Sequence, residues 1–563
     1  MEQRGPGHTV GSVKLYEKGY LDYQEDIKES LGKLDYQNDP EALNKRDQLN
    51  AMYIACDAIM ILGKRYGELA RQMAAECTDE QRRKELLQIA EGCDVVPAHK
   101  PETFYQAIQT YWFTHLAVTT ELNPWDAYSP GHFDQHLGPF YERDTEAGIL
   151  TRDQALELME CLWVKFYNQP APPKVGVTLK ESSSHHPGAD ECREDAGGRP
   201  ERRVLRLCGD RAFGNEAYIL LGYFNLPKVF ELTLFNGVDP MTGRQLGPRT
   251  GDAKDFKTFD QLWEAYTKQI DHFLDIKVRG SNVIESLYAK YMPVPFLSIL
   301  TNDCIAKGQD YNAGGARYNT SVIQGVGTGT IADCLSAVKY NVYDNENFTM
   351  EELLAAMKDN FQGHDRLFNL VRNKTPKYGN DDDYADNLMR KVFNYFLDSV
   401  SGRPNMRGGT YRVDMLPTTC HVYFGDVMIA SPNGRLAHKP VSEGISPEKG
   451  ADIHGPTAVI KSCAKMDHLK TGGTLLNQKF TPEVVTGEAG LNHMADLIRT
   501  YFDMDGHHIQ FNVVGRDTLI AAQKNPEEYR DLIVRVAGYS DYFRNLDKPL
   551  QDEIIERTEQ NFG

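Results

Sequence analysis

Arg535-Val536-Ala537-Gly538-Tyr539-Ser540-Asp541-Tyr542-Phe543 is the stretch on which the reading of this chain turns. The apolar run Leu532-Ile533-Val534 leads into a glycine flanked by alanine and tyrosine, and the chain ends soon afterwards. Glycine tolerates backbone angles that other residues avoid, so the plain reading is a buried strand turned at Gly538. The neighbours on both sides make the wording more particular than a turn requires.

Around that stretch lies a chain of 563 residues, 41% hydrophobic and 25% charged, the composition of a globular protein with a large core. A net charge of −18 with acids and bases interspersed argues against nucleic acid as a partner, because phosphate binding needs a basic surface. No run is long and apolar enough to span a membrane. The ten cysteines are scattered and form no CxxC pair, which reads as a reducing, cytoplasmic setting without a disulfide framework, zinc site or iron–sulfur cluster.

Upstream, residues from Asp26 to about Val96 read as mostly helical. The clearest stripe is Leu49, Met52, Cys56, Ile59, Leu62, Tyr66, Leu69 and Met73, in steps of three or four. Further helices are expected from Glu102 to Thr120 and after Thr151, with the polar–aromatic loop Asn123 to Gly131 between them. Lys174 to Leu179 reads as a buried strand. From Phe213 the pattern runs through a glycine-and-aromatic stretch into Asn225-Leu226-Pro227-Lys228, then through alternating helices to Thr410. Asp381-Asp382-Asp383 reads as a solvated loop rather than a metal site. Asp467-His468 and His507-His508 read as scaffolding.

The words Arg-Val-Ala-Gly-Tyr-Ser-x-x-Phe near the carboxyl end resemble the signature of the glycyl radical enzymes, the pyruvate formate-lyase superfamily. The resemblance covers nearly the whole chain. It implies an α/β fold: a ten-stranded β/α barrel of two antiparallel half-barrels, wrapped by helices, with two finger loops meeting inside. It implies a barrel domain over 1–425 and a carboxyl-terminal glycine radical domain over 432–563. It also implies that Gly538 carries an unpaired electron on its α-carbon. Glycine has no side chain to crowd a planar radical carbon, and the flanking amide and carbonyl delocalise the spin. No cofactor is implied beyond that radical, which a separate radical-SAM activating enzyme would install. A small-molecule substrate and a homodimer are implied as well. The opening Met1 to Thr9 resembles an internal segment of the family, so an amino-terminal part is expected to be missing.

One stretch, Ser184 to Arg211, is unlike its surroundings. It is polar and aperiodic, and packs Arg199, Arg202, Arg203, Arg206 and Arg211 into a short span. A solvated loop and, through His185, His186, Asp190 and Cys192, a metal site are the readings its composition permits. The family carries its thiyl-forming cysteine in Gly-Cys-Val-Glu, a little upstream of Asn225-Leu226-Pro227-Lys228, and that motif is absent. Permitted codons for Arg206 to Arg211, read one base later, spell Gly-Cys-Val-Glu-Thr, and the shifted reading extends back to Ser184. We therefore expect 184–211 to be frame-shifted and a strand-and-loop segment after Glu181-Ser182 to be lost. Cys208 is then an accident of the other frame; the alternative is that Cys208 is itself a working radical cysteine.

Within the superfamily the resemblance is strongest to dehydratases of trans-4-hydroxy-L-proline, carried by Val413 to Phe424, Ser431 to Pro447, Ser462 to His468, Thr471 to Gln478 and Asp505 to Asn512. It implies loss of water to give 1-pyrroline-5-carboxylate, impaired in this exact chain. His8 and Asp126 would contact the substrate around its departing hydroxyl. Ser182, Tyr223 and Thr418 would line the same pocket, with Thr418 against the carboxylate or ring amine. From the residues alone, His8 could pin a turn, Asp126 could cap one, Tyr223 could be core and Thr418 could satisfy backbone groups beside Pro417. The competing functions are a glycerol or propanediol dehydratase, a formate acetyltransferase-like enzyme (disfavoured, since neither Cys208 nor Cys420 has a cysteine neighbour) and an inactive subunit that only docks an activase.

Overall fold

The computed structural model describes residues 8–9, 13–122, 128–129, 133–167, 214–538 and 540–561. The expected strand at Lys174 to Leu179 and the whole of 184–211 lie outside these residues, as do Asp126, Ser182 and Cys208.

Helices Tyr20–Gly32, Ala42–Glu76, Glu80–Val95 and Phe104–Glu121 form the first layer. Leu49, Met52, Cys56 and Ile59 of the predicted stripe are buried, whereas Tyr66, Leu69 and Met73 are about half exposed. Steps of three and four in near-equal number fall short of the 3.6 residues of each turn, so the stripe winds off the core as the helix proceeds. Gly63, Gly67, Ala70 and Ala74 take over the buried face. A Cβ at Gly63 would lie 2.5 Å from Pro97 Cδ, and one at Gly67 2.9 Å from Cys93 Cβ. These small residues let the second and third helices approach closely.

The strands form small sheets. β1 (His8–Thr9) pairs in parallel with β2 (Tyr128–Ser129). β3 (Glu216–Asn225), β4 (Tyr318–Val326), β5 (Thr410–Met415) and β6 (Gly473–Thr474) make a four-stranded sheet in that order, parallel in every pair. One residue beyond β6, the chain enters β7 (Leu476–Phe480), the centre of a second parallel sheet between β8 (Ile509–Val513) and β11 (Glu559–Gln560). The chain thus passes from one sheet to the next at Leu475. Crossovers between parallel strands are helical, as parallel pairing requires. The first begins with Asn225, whose side chain accepts from Lys228 N at 3.1 Å and caps the helix Leu226–Leu234 with Pro227 in its first turn. The helix Thr328–Val338, which follows β4 in the chain, is buried at every residue.

Two apolar clusters matter for the site. The larger runs from Leu15 to Ile509 and includes the inner residues of β3 to β5. The smaller comprises Val514, Leu519, Ala522, Val534, Val536, Phe543, Leu546, Leu550, Ile554 and Ile555. It joins the helices Arg516–Lys524 and Lys548–Glu556 to the antiparallel hairpin of β9 (Ile533–Arg535) and β10 (Ser540–Tyr542). Among the described residues, no helix is long and apolar enough to cross a membrane.

Asp381 and Asp383 are exposed, as the solvated-loop reading expects, and the segment also has a structural role. Asp382 accepts from Tyr384 N and caps the helix Asp383–Val400. Asp381, Asp383 and the buried Asp386 surround Lys465 Nζ at 3.0, 2.8 and 2.7 Å. His468 is buried between Thr474 Oγ1 and Cys463 O, at 2.8 and 3.0 Å, a structural role as expected.

Candidate active site

Gly538 sits in the turn between β9 and β10, whose pairing brings Arg535 opposite Ser540. Its φ of +86° is left-handed, a region that other residues enter at a cost. The strand-turn reading of this glycine therefore describes the backbone correctly, and leaves the chemistry to its surroundings. A Cβ there would lie 3.2 Å from Leu416 Cδ2, so the α-carbon faces an apolar side chain across a narrow gap. Val536 and Ala537 before it are fully buried.

Leu416 begins the loop that follows β5, and its N–H donates to Gln324 Oε1 at 2.6 Å. Two residues on, Thr418 has a φ of +51°, strained backbone for a β-branched residue. Its hydroxyl lies 3.1 Å from Tyr223 Oη and donates to Pro417 O at 2.7 Å. Tyr223 comes immediately after a register shift in β3 at Gly222, whose φ is +112°. The buried Lys277 ammonium donates to Leu221 O at this bulge, and burial pulls its pKa down to about 8. A Cβ on Gly222 would stand 2.6 Å from that nitrogen. The bulge thus re-aims Tyr223 toward Thr418. Of the expected site residues, Tyr223 and Thr418 are in contact, and Leu416, two residues before Thr418, faces Gly538. His8 pairs through its backbone with Tyr128.

Sequence reasoning assigned no roles to the residues that hold the glycine hairpin. Asn512 and Arg535 exchange two bonds: Asn512 Nδ2 donates to Arg535 O at 2.7 Å, and Arg535 N donates to Asn512 Oδ1 at 2.8 Å. Arg557 donates to Val536 O at 2.7 Å and to Arg535 O at 3.2 Å, and pairs with the buried Glu553 carboxylate. Burial alone would raise the Glu553 pKa, but Arg557, Lys449 and His421 outweigh it and hold the carboxyl well below the usual range. The available signal was polar residues on buried strands. Asn477, Gln510 and Asn512 are 8%, 5% and 5% exposed, and buried amides need partners.

The carboxyl-terminal segment is anchored through Asp452, which accepts from Thr558 Oγ1 and Gln560 Nε2. Burial raises its pKa to about 7 against the partial relief of those bonds. The folded protein thus keeps Asp452 protonated to higher pH than the unfolded chain does. Its contribution is fully present below the ordinary carboxylate range, and is lost as pH rises from about 4 toward 7, with a slope of up to about 1.4 kcal/mol per pH unit. Asp452→Asn should remove this slope, raising the melting temperature at pH 8 and changing it little at pH 4. Calorimetry across that range checks the expectation.

Comparison with known proteins bears on this geometry. The pyruvate formate lyase-like family model matches residues 1–193 and 208–425, and the glycine radical model matches 441–544, enclosing the Gly538 hairpin. The chain belongs to the glycyl radical enzymes. Its relatives among them include the trans-4-hydroxy-L-proline dehydratase of Clostridioides difficile, 55% identical over 640 residues, covering 100% of this chain and 81% of that protein. The isethionate sulfite-lyase of Oleidesulfovibrio alaskensis is 32% identical, covering 97% of this chain and 76% of its own length. Among solved glycyl radical enzymes, hydroxyproline dehydratase from Clostridioides difficile with trans-4-hydroxy-L-proline bound superposes with a TM-score of 0.94, at 55% identity and with 99% of this chain and 80% of that one covered. The B12-independent glycerol dehydratase from Clostridium butyricum follows at 0.89, 32% identical, with coverage of 99% and 80%.

Proposed function

We propose that this glycyl radical enzyme is built to remove water from trans-4-hydroxy-L-proline, giving 1-pyrroline-5-carboxylate. The observation that carries the reading is the placement of the Gly538 turn against Leu416, two residues from the Thr418–Tyr223 hydroxyl pair. The radical source then faces the loop that carries a polar substrate contact. The likeness to a structure with that substrate bound supports the choice of substrate.

In this reading a radical-SAM activating enzyme removes a hydrogen atom from Gly538. The glycyl radical takes hydrogen from the cysteine of the family's Gly-Cys-Val-Glu loop, and the thiyl takes hydrogen from the substrate. The altered frame at 184–211 removes that cysteine from this exact chain. The substrate radical expels its hydroxyl with a proton as water, a step that a neighbouring carboxylate assists. The thiol then returns its hydrogen atom, which closes the cycle with the radical restored. Thr418 binds the carboxylate or ring amine, Tyr223 and Ser182 line the pocket, and His8 and Asp126 hold the departing hydroxyl. Closure of the site excludes water and oxygen from the radical.

The ten-stranded barrel, the division into 1–425 and 432–563, a homodimer and a cytoplasmic setting belong to the same proposal. So does the frame-shifted segment at 184–211 that displaces the Gly-Cys-Val-Glu motif, together with the loss of a segment after Ser182. The interruption of the family match between 193 and 208 supports it, as does a matched span of 640 residues for a chain of 563. The absent motif also favours a second reading, in which this exact chain accepts a radical and docks an activase without turning over substrate.

The test is anaerobic activation followed by air. A spin-positive sample should break at Gly538 and release a short carboxyl-terminal fragment. A spin-positive sample that keeps its intact mass in air would remove the radical from Gly538.

A further inference from the structure

β7 and β8 run in parallel beneath the glycine hairpin, with Asn477 and Gln510 as direct cross-strand partners. Gln510 Oε1 accepts from Arg535 Nε at 2.6 Å and from Gly538 N at 3.4 Å. Gln510 Nε2 donates to Asn477 Oδ1, and Asn477 Nδ2 donates to Val536 O at 3.2 Å. This chain of bonds has only one consistent direction. A guanidinium and a backbone N–H can only donate, so Gln510 must turn its oxygen toward them. Its amide nitrogen must then face Asn477, which must present oxygen and direct its own nitrogen at a carbonyl. Both ends of the relay fall on the turn, at Val536 and Gly538.

We infer that Gln510 is the positioning residue of the radical glycine, fixing the plane of the Ala537–Gly538 peptide and polarising its N–H through a side-chain carbonyl that Arg535 and Asn477 hold in place. The inference rests on the assignment of the radical to Gly538. A planar α-carbon radical draws on the lone pair of its own amide nitrogen. An acceptor on that N–H strengthens the donation and moves spin density onto nitrogen. Fixing the peptide plane keeps the overlap. Only 5% of Gln510 is exposed, so no solvent shell can substitute for these bonds. Rotation of Gln510 would leave Arg535 Nε and the Gly538 N–H facing its amide hydrogens.

The experiment uses the full chain labelled with 15N-glycine and activated without oxygen. Its readouts are the nitrogen hyperfine coupling of the spin signal and the anaerobic lifetime of that signal. Gln510→Leu removes the acceptor at similar volume, and should lower the coupling and shorten the lifetime about five-fold, the factor one hydrogen bond represents. Gln510→Glu retains a stronger, charged acceptor and should move the coupling the opposite way. Asn477→Asp keeps the acceptor that orients Gln510 while losing the strap on Val536 O, and should leave the coupling at its parental value. A merely structural role would reduce spin yield in all three without separating their couplings. Parental coupling in the Gln510→Glu protein would overturn the inference, whether or not the leucine variant folds. A parent chain with no spin signal would overturn the assignment of Gly538 itself, a separate outcome.

Discussion

Restoring the reading frame across 184–211 and the segment after Ser182 should convert this chain from one without turnover into one that consumes trans-4-hydroxy-L-proline and forms the pyrroline carboxylate with its activase. The expected effect is all or nothing, because the thiyl relay has no substitute. In this reading the cysteine loop is what carries the unpaired electron from the glycine to the substrate. The restored glutamate returns the proton-handling group beside it, and the restored segment closes the pocket that orients substrate and excludes solvent. Replacing the restored cysteine by alanine should abolish turnover while leaving the spin on Gly538 intact. Product measured by mass spectrometry from both proteins decides the matter. Turnover by the present chain, lost on Cys208→Ala, would show that Cys208 carries the radical and that the frame is correct as it stands.

The second large effect concerns the support of the glycine hairpin. Arg557→Ala removes two carbonyl caps, on Arg535 and Val536, and takes away the nearest cation of a fully buried carboxylate. Glu553 then retains Lys449 Nζ at 3.6 Å as an ion-pair partner, with the His421 ring nitrogen at 3.6 Å beside it. Breaking a buried pair by deleting one partner costs about 3–5 kcal/mol, more than replacing both partners by apolar groups. The smaller apolar cluster, which holds β9, β10 and the helix Lys548–Glu556, should bear the loss. Hydrogen exchange should report faster opening of the hairpin amides, with the helices of residues 20–121 protected as before. The paired change of Arg557 to Met and Glu553 to Gln should recover part of the loss. Equal exchange in the parent and Arg557→Ala proteins would show that the clamp does not hold the turn.

The features legible in the sequence were those coded by neighbours along the chain. The wording around Gly538 identified both the turn and the family, since the left-handed angle belongs to that one residue and the glycine radical match encloses it. Asn225-Leu226-Pro227-Lys228 carried no assignment from the sequence, and the structure makes Asn225 the cap of a helix. Tyr223 and Thr418 were named from the family resemblance, and their 3.1 Å contact joins a strand to a loop far away in the chain. The stripe beginning at Leu49 was read correctly for its first half only. Its later members leave the core because residue spacing carries no record of where the partner helix ends, and Gly63 and Gly67 mark that contact by having no side chain. The amide relay through Gln510 and Asn477 was not legible in role. Its partners lie 25 to 59 residues apart, and the pairing of β7 with β8 sets Asn477 beside Gln510. Asp381 and Asp383 were read as solvated, and they are exposed; their pairing with Lys465 was not legible because that cation arrives from a distant part of the chain.

The most direct test of the central claim is an electron-spin spectrum of the activated chain made with α-deuterated glycine. A radical on Gly538 keeps one α-hydrogen, and its coupling splits the line in two. The account predicts a doublet from the unlabelled protein and collapse to a single line with the label. It also predicts loss of both signals in Gly538→Ala. A doublet that survives the label, or persists in Gly538→Ala, would place the unpaired electron on another residue and contradict the account.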